Sequence, residues 1–146
     1  MTLHRILYTS RSVEGSGPQA RATAGAIAAR SAVANARDGL SGALLLVGDT
    51  FIQVLEGPRP ALETTFERIC RDLRHVDLRL VESAPALDRA FAGWDMGFVA
   101  QGAAGRRFDE ALDDVRFAVG VSAAGAMAQM RAVLDRLDSQ ASRRRA

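Results

Sequence analysis

Residues 40–47 and 50–56, LSGALLLV and TFIQVLE, are two apolar runs joined at Gly48-Asp49. A Gly-containing pair between two such runs is a hairpin signal, so the runs pair as antiparallel strands. Along the second run Phe51, Gln53 and Leu55 share one face, and Ile52, Val54 and Glu56 share the other. Both faces carry apolar side chains, which makes this strand central and covered on both sides. A bare face would leave Ile52 and Val54 wet at about 25 cal/mol per Å². The chain must therefore build a sheet with a layer on each face.

The flanking residues supply both layers. Residues 3–9, LHRILYT, read as a first strand, and residues 10–17, SRSVEGSG, as a polar loop. Pro18 opens a helix that runs to about Asp38, and Gly39 stops it. Gly57-Pro58-Arg59-Pro60 breaks the chain before a second helix, to about Asp72, with Leu62, Phe66, Ile69 and Leu73 on one stripe. Residues 76–82 form a fourth strand. Residues 94–99, WDMGFV, form a short last one with Trp94, Met96 and Phe98 alternating on one face. The order is βαββαβ plus an extra strand, an α+β chain of ferredoxin-like plan with both helices on one face of the sheet. The other face is covered by a C-terminal helical pair, 108–117 and 123–137, the second with Met127, Met130, Leu134 and Leu137 at helical spacing. The expected division is a main domain over 1–100, a helical extension over 101–140 packed on the sheet, and a mobile basic tail over 141–146.

Composition narrows the function. The 146 residues suit one domain, and a net charge of +2 gives no polyanion surface, so no nucleic-acid partner is expected. No apolar run approaches the roughly 18 residues of a membrane span. The single cysteine, Cys70, makes the reducing cytoplasm the default compartment. His4, His75 and Cys70 show no zinc-like spacing. No Ser–His–Asp set, dinucleotide fingerprint or Walker loop is present, and Glu56, Glu63 and Glu67 carry no mark of a paired acid and base. The chain is not expected to be an enzyme.

Two features are odd. Ala20, Ala24, Ile27, Ser31 and Asn35 form a small, partly polar stripe on the first helix. Either this helix packs unusually close to its neighbour or something flat lies between them, since interiors do not leave voids cheaply. Gln53 sits in a buried strand, where an unpartnered amide costs roughly 1–3 kcal/mol. Tyr8, the sole tyrosine, can meet Gln53 because first and third strands are neighbours in this plan, and Asn35 can approach the same end of the sheet. Such a cluster either fixes the packing or serves a ligand. Asp72, Arg74 and His75 form either a solvated loop or the polar rim of a ligand site.

Five stretches in this order resemble the BLUF family, sensors of blue light using FAD. They are RILYTS around Tyr8, SAVANARDGLSGALL through Asn35, FIQVLEG around Gln53, RICRDLRH closing the second helix, and FAGWDMGFV around Trp94 and Met96. The resemblance runs from Leu3 to about Val99 and makes 1–100 a flavin-binding domain. It implies non-covalently bound FAD, with Tyr8 as electron donor to the excited flavin and Gln53 hydrogen-bonded between Tyr8 and the flavin. It places Asn35 at the ring's polar edge, Ile27 and Ser31 along one wall and Ile69 on the opposing wall. Asp72, Arg74 and His75 fall near the ribityl and phosphate groups. Trp94 and Met96 would pass the signal on. Light would leave Gln53 in a changed orientation or tautomer, with the flavin spectrum shifted slightly to the red. The loop SRSVEGSGPQ is longer than usual and Ala34 replaces a larger polar residue, departures that touch the adenine side and the fine tuning. With about 40 residues beyond the resembling region, the expectation is a short stand-alone receptor acting through a homo-oligomer or a downstream effector protein. The rival readings are an acylphosphatase-like enzyme using Arg11 and Asn35, and a flavin-free interaction module.

Overall fold

A computed structural model describes the backbone of residues 2–145 and the side chains of residues 2–139. The elements are β1 (Leu3–Ser12), α1 (Pro18–Asp38), β2 (Ser41–Val47), β3 (Thr50–Pro58), α2 (Arg59–Cys70), β4 (His75–Ala86), β5 (Gly97–Ala100), α3 (Arg106–Val119) and α4 (Ala123–Arg145). The sheet order is β4-β1-β3-β2-β5. β3 pairs antiparallel with β1 and β2, β4 pairs antiparallel with β1, and β5 joins β2 in parallel. This is the ferredoxin-like α+β arrangement with one added edge strand.

The sheet separates two cores. Leu7, Leu45, Ile52 and Val54 pack with Leu112, Val115, Met130 and Leu134 of α3 and α4. Tyr8, Leu44, Phe51 and Leu55 face Ala24 and Ala28 of α1 and Leu62 of α2. Period-two alternation along β3 puts Gln53 and Glu56 on opposite sides. Pro18 begins α1 and Gly39 ends it in the left-handed region at φ 74°, a conformation that costs a glycine nothing. That tight stop lets Leu40 N–H bond back to the Asn35 carbonyl at 2.9 Å, so the chain enters β2 directly under the end of α1.

Several boundaries differ from the expected ones. β1 and β4 both run further than expected and are paired through two irregularities, between Leu7 and Tyr8 and between Thr9 and Arg11. β4 is an edge strand, and edges carry polar residues that sequence alone reads as loop. Leu73 lies past the end of α2 and is 88% exposed, so the apolar stripe of that helix closes at Ile69. β5 begins only at Gly97, so Trp94 and Met96 precede it. They do not alternate with Phe98 on one face: Trp94 packs into the α3–α4 core, while Met96 and Phe98 pack into the α1–α2 core. α4 continues through Arg145, beyond the expected end at Leu137. The side chains of the expected basic tail, 141–146, lie outside the described residues.

Candidate functional site

Tyr8 and Gln53 stand directly opposite each other in the β1–β3 ladder. Side chains so paired have Cβ atoms about 4.5–5.5 Å apart on one face of the sheet. Above them α1 and α2 diverge and leave a cleft of about 640 Å³, within the usual range for a small-molecule site. Its floor is Tyr8, Leu44, Phe51, Gln53 and Leu55. Ile27, Ser31 and Asn35 form the α1 wall, and Thr65 and Ile69 the α2 wall. The stripe of small side chains on α1 is thus not packed tightly on its neighbour over this stretch.

Among the described residues, the polar groups of the floor have little hydrogen bonding from the protein. Tyr8 is 1% exposed and meets Phe66 edge-on at 5.5 Å between ring centroids. Burial pushes its phenol well above the ordinary value, and negative charge at Cys70 and Asp72 would push it further. Gln53 is 5% exposed. Among the described residues, the one partner of its amide is Met96, whose Sδ lies 3.9 Å from Nε2, a weak contact. Asn35 donates Nδ2–H to the Asp95 carbonyl at 2.7 Å, which ties α1 to the segment carrying Met96.

The rim is charged. Arg74 donates to Asp72 through Nε at 2.9 Å and Nη2 at 2.5 Å, and those bonds hold the Asp72 carboxyl below the ordinary range. His75 Nε2 lies 2.8 Å from the Ile69 carbonyl and Nδ1 2.7 Å from Ser10 Oγ. A carbonyl only accepts, so Nε2 carries a proton toward Ile69, and Nδ1 shares a hydrogen bond with the Ser10 hydroxyl, which can donate or accept. His75 therefore lines the cleft with both ring nitrogens engaged within the protein.

Ten of the residues singled out in the sequence thus line one cleft: Tyr8, Ile27, Ser31, Asn35, Gln53, Ile69, Asp72, Arg74, His75 and Met96. Trp94 does not, because the chain turns it to the other face of the sheet. Sequence reasoning missed Arg30, Arg37 and Arg68, which also line it. Their signal was available, since 27, 30, 34 and 37 form one helical row and Arg68 adjoins Ile69. Arg11, required by an acylphosphatase-like site, pairs instead with Asp77 at 2.6 Å and is not part of the cleft lining.

Glu56 was also missed. It is fully buried, and each carboxylate oxygen takes two donors. Oε2 accepts from Arg5 Nε at 3.0 Å and Ala90 N–H at 2.9 Å, and Oε1 from Ser41 Oγ at 3.0 Å and Phe91 N–H at 2.6 Å. A carboxylate so saturated is structural, tying β3 to β1, β2 and the segment that leads to Met96.

A flavin fits these residues. Its ring is flat and apolar with one hydrogen-bonding edge, matching two walls that stand apart over a floor where the Gln53 amide has only a weak contact to Met96 among the described residues. Its phosphates are anionic, matching Arg30 and Arg68 at the mouth. Among the described residues, no helix is long and apolar enough to cross a membrane, and no group of His, Cys, Asp and Glu could hold a metal ion.

Comparison with known proteins agrees with this geometry. The family described as sensors of blue-light using FAD matches residues 3–97. Photoactivated adenylate cyclase subunit beta of Euglena gracilis is 34% identical over 90 residues, 62% of this chain and 10% of that protein. The corresponding subunit of Euglena longa is 34% identical over 96 residues, 65% of this chain and 11% of that protein. The chain therefore spans about a tenth of the length of these relatives. Among solved structures, the BLUF protein BlrB in its dark state superposes with a TM-score of 0.72 at 27% identity, covering 91% of this chain and 95% of that one. The photo-activated state of BlsA shares the fold, with a TM-score of 0.70 at 20% identity over 90% of this chain and 94% of that one. With its matched residues forming β1 to β4, both cleft walls and the floor between them, the chain belongs to the BLUF family, sensors of blue light using FAD.

Proposed function

We propose that this chain binds FAD non-covalently between α1 and α2 and acts as a light-driven switch whose moving part is Gln53. One observation carries the reading: Tyr8 and Gln53 are a registered pair on the cleft floor, and among the described residues the Gln53 amide has only the Met96 sulfur as partner, at 3.9 Å. Ile27 and Ser31 on one side and Ile69 on the other would hold the ring, with Asn35 at its polar edge. Asp72, Arg74 and His75 would border the ribityl and phosphate groups, and Arg30 and Arg68 would add positive charge there. The flavin, when bound, supplies blue-light absorption and an excited state that accepts an electron.

The residues then have defined tasks. Tyr8 gives up an electron, and its phenolic proton leaves with it, because a buried site disfavours any charged form of the side chain. Gln53 stands opposite and receives the proton or relays it. When the electron and proton return to Tyr8, the Gln53 amide rests in a different orientation or tautomer. Two arrangements of one buried amide are enough for a two-state element. Met96 feels the change directly, and the segment around it leads to α3 and α4, where a second copy or an effector protein would read it. The cytoplasm is the compartment this reading favours.

An absorption spectrum of the purified protein, before and after blue light, tests it. The expected result is a flavin spectrum that shifts slightly to the red and relaxes in darkness, and Tyr8→Phe or Gln53→Leu should abolish the shift. A colourless protein that takes up no added FAD would overturn it.

A further inference from the structure

The segment from Ala90 to Gly97 is tied to several elements through its peptide groups. Ala90 and Phe91 donate their N–H groups to Glu56 of β3. The carbonyls of Ala90 and Ala92 both accept from Arg131 Nη1 of α4, at 3.2 and 3.1 Å. The Trp94 carbonyl accepts from Gly42 of β2 at 3.0 Å. At its end Gly97 lies so close under α4 that a Cβ there would sit 2.6 Å from Leu134 Cδ1. Met96, the partner of Gln53, lies inside this span.

The two ties to α4 differ in kind. The Leu134 contact is apolar and tolerates small shifts. The Arg131 contact is directional: its Nε is held by Asp135 at 3.0 Å, which leaves Nη1 fixed on two carbonyls near the limit of hydrogen-bond length. A displacement of the segment by about 0.5 Å away from Arg131 takes both beyond that length. Arg131 is 35% exposed in its side chain, so water can replace a broken bond and the guanidinium can move away.

We propose that Arg131 is the positioning residue that couples the Met96 segment to α4, so that a change at the Gln53–Met96 contact becomes a change in that helix. This rests on the light-switch reading above. Arg131 touches neither the cleft nor the Tyr8–Gln53 pair.

The test uses the full chain loaded with FAD, with two readouts taken in darkness and under blue light: the flavin spectrum, and backbone amide hydrogen exchange over 90–97 and 123–139. In the native protein light should shift the spectrum and change exchange in both segments. Arg131→Gln and Arg131→Met should keep the full spectral shift and the change over 90–97, and lose the change over 123–139. Arg131→Lys, which still places a cation near the carbonyls, should restore part of it. The proposal is overturned if either neutral variant keeps the native light-dependent change over 123–139, or if the native protein shifts its spectrum with no change there. A native protein with no spectral shift defeats the light-switch reading, and the coupling falls with it.

Discussion

Replacing Gln53 by leucine should stabilise the flavin-free protein while weakening its response to flavin. The amide is 5% exposed, and its one polar partner among the described residues is a sulfur at 3.9 Å. Its neighbours across the ladders are Tyr8 and Leu44, so a leucine of similar size meets a largely apolar surround. An unsatisfied buried amide costs about 1–3 kcal/mol. Because the group borders the cleft, water reaches one edge, and the gain belongs near 1 kcal/mol. In a chain of 146 residues that raises Tm by about 3 °C. FAD at 100 times Kd contributes about 2.7 kcal/mol to the native protein. Losing one hydrogen bond of about 1 kcal/mol raises Kd about fivefold. At the same FAD concentration the contribution falls to about 1.8 kcal/mol, so the FAD-induced rise in Tm shrinks by about a third. Thermal melts followed by circular dichroism in darkness, with and without FAD, read both quantities. A flavin-free Gln53→Leu protein melting 3 °C or more below native would show that the amide is satisfied within the protein. An unchanged FAD-induced rise would show that Gln53 does not contact the ligand.

Glu56→Gln should lower Tm of the flavin-free protein by about 9 °C, since it orphans a buried backbone donor and the Arg5 guanidinium at about 3 kcal/mol; a fall under about 3 °C would contradict the four-donor arrangement. Tyr8 is the sole tyrosine, so absorbance near 295 nm follows it alone. Its folded-state pKa is raised, so stability is full below the usual value of about 10 and is lost as pH rises beyond it; native protein half-ionised at that ordinary value would refute the burial argument. Asp72 is depressed by its bonds to Arg74, so its contribution is present above about pH 3.9 and is lost as pH falls through the lower folded value. Urea melts of native protein and Asp72→Asn should therefore converge on acidification, by less than about 1 kcal/mol for a partly exposed pair, and parallel profiles would argue against the pairing. Met96→Leu keeps volume and removes the sulfur acceptor, so light should still shift the flavin spectrum but no longer alter the fluorescence of Trp94, the sole tryptophan; an unaltered fluorescence response would exclude Met96 from the route.

What was legible in the sequence was what local pattern governs. The hairpin at Gly48-Asp49 announced β2 and β3, and apolar residues on both faces of β3 demanded the two layers that α1–α2 and α3–α4 supply. The spacing of Ile27, Ser31 and Asn35 gave the cleft wall because helical geometry repeats. Trp94 failed because W-x-M-x-F reads as strand alternation, while the Trp94 and Asp95 carbonyls are in fact taken by Gly42 and Asn35 from different directions. No sequence pattern contains that. Glu56 was invisible for a related reason: its donors come from residues 5, 41, 90 and 91, brought together only by the fold. The arginines at the mouth were overlooked because a chain with 19 basic residues gives each of them an ordinary surface explanation.

The position of Gln53 on β3 constrains how any change there can leave the site. β3 lies between β1 and β2 and is hydrogen-bonded along both edges. Moving its backbone would disturb two ladders at once and pull on the buried Glu56 carboxylate three residues away. The strand is a rigid mount, and a switch on a rigid mount acts through its side chain. Of the two residues that flank Gln53 on the cleft floor, Tyr8, its partner in the ladder, sits on a strand paired on both sides. Met96 immediately precedes β5, and the Asp95 and Trp94 carbonyls before it are each taken by one donor, the Asn35 side chain and the Gly42 N–H. A thioether on a flexible stem is also the side chain best able to follow a small rearrangement. The softest contact of the buried amide therefore leads into the segment least committed to the sheet, and that segment is bonded on its far side to α4. Under the proposed switch, the same sheet that fixes Tyr8 against Gln53 leaves the signal one compliant way out.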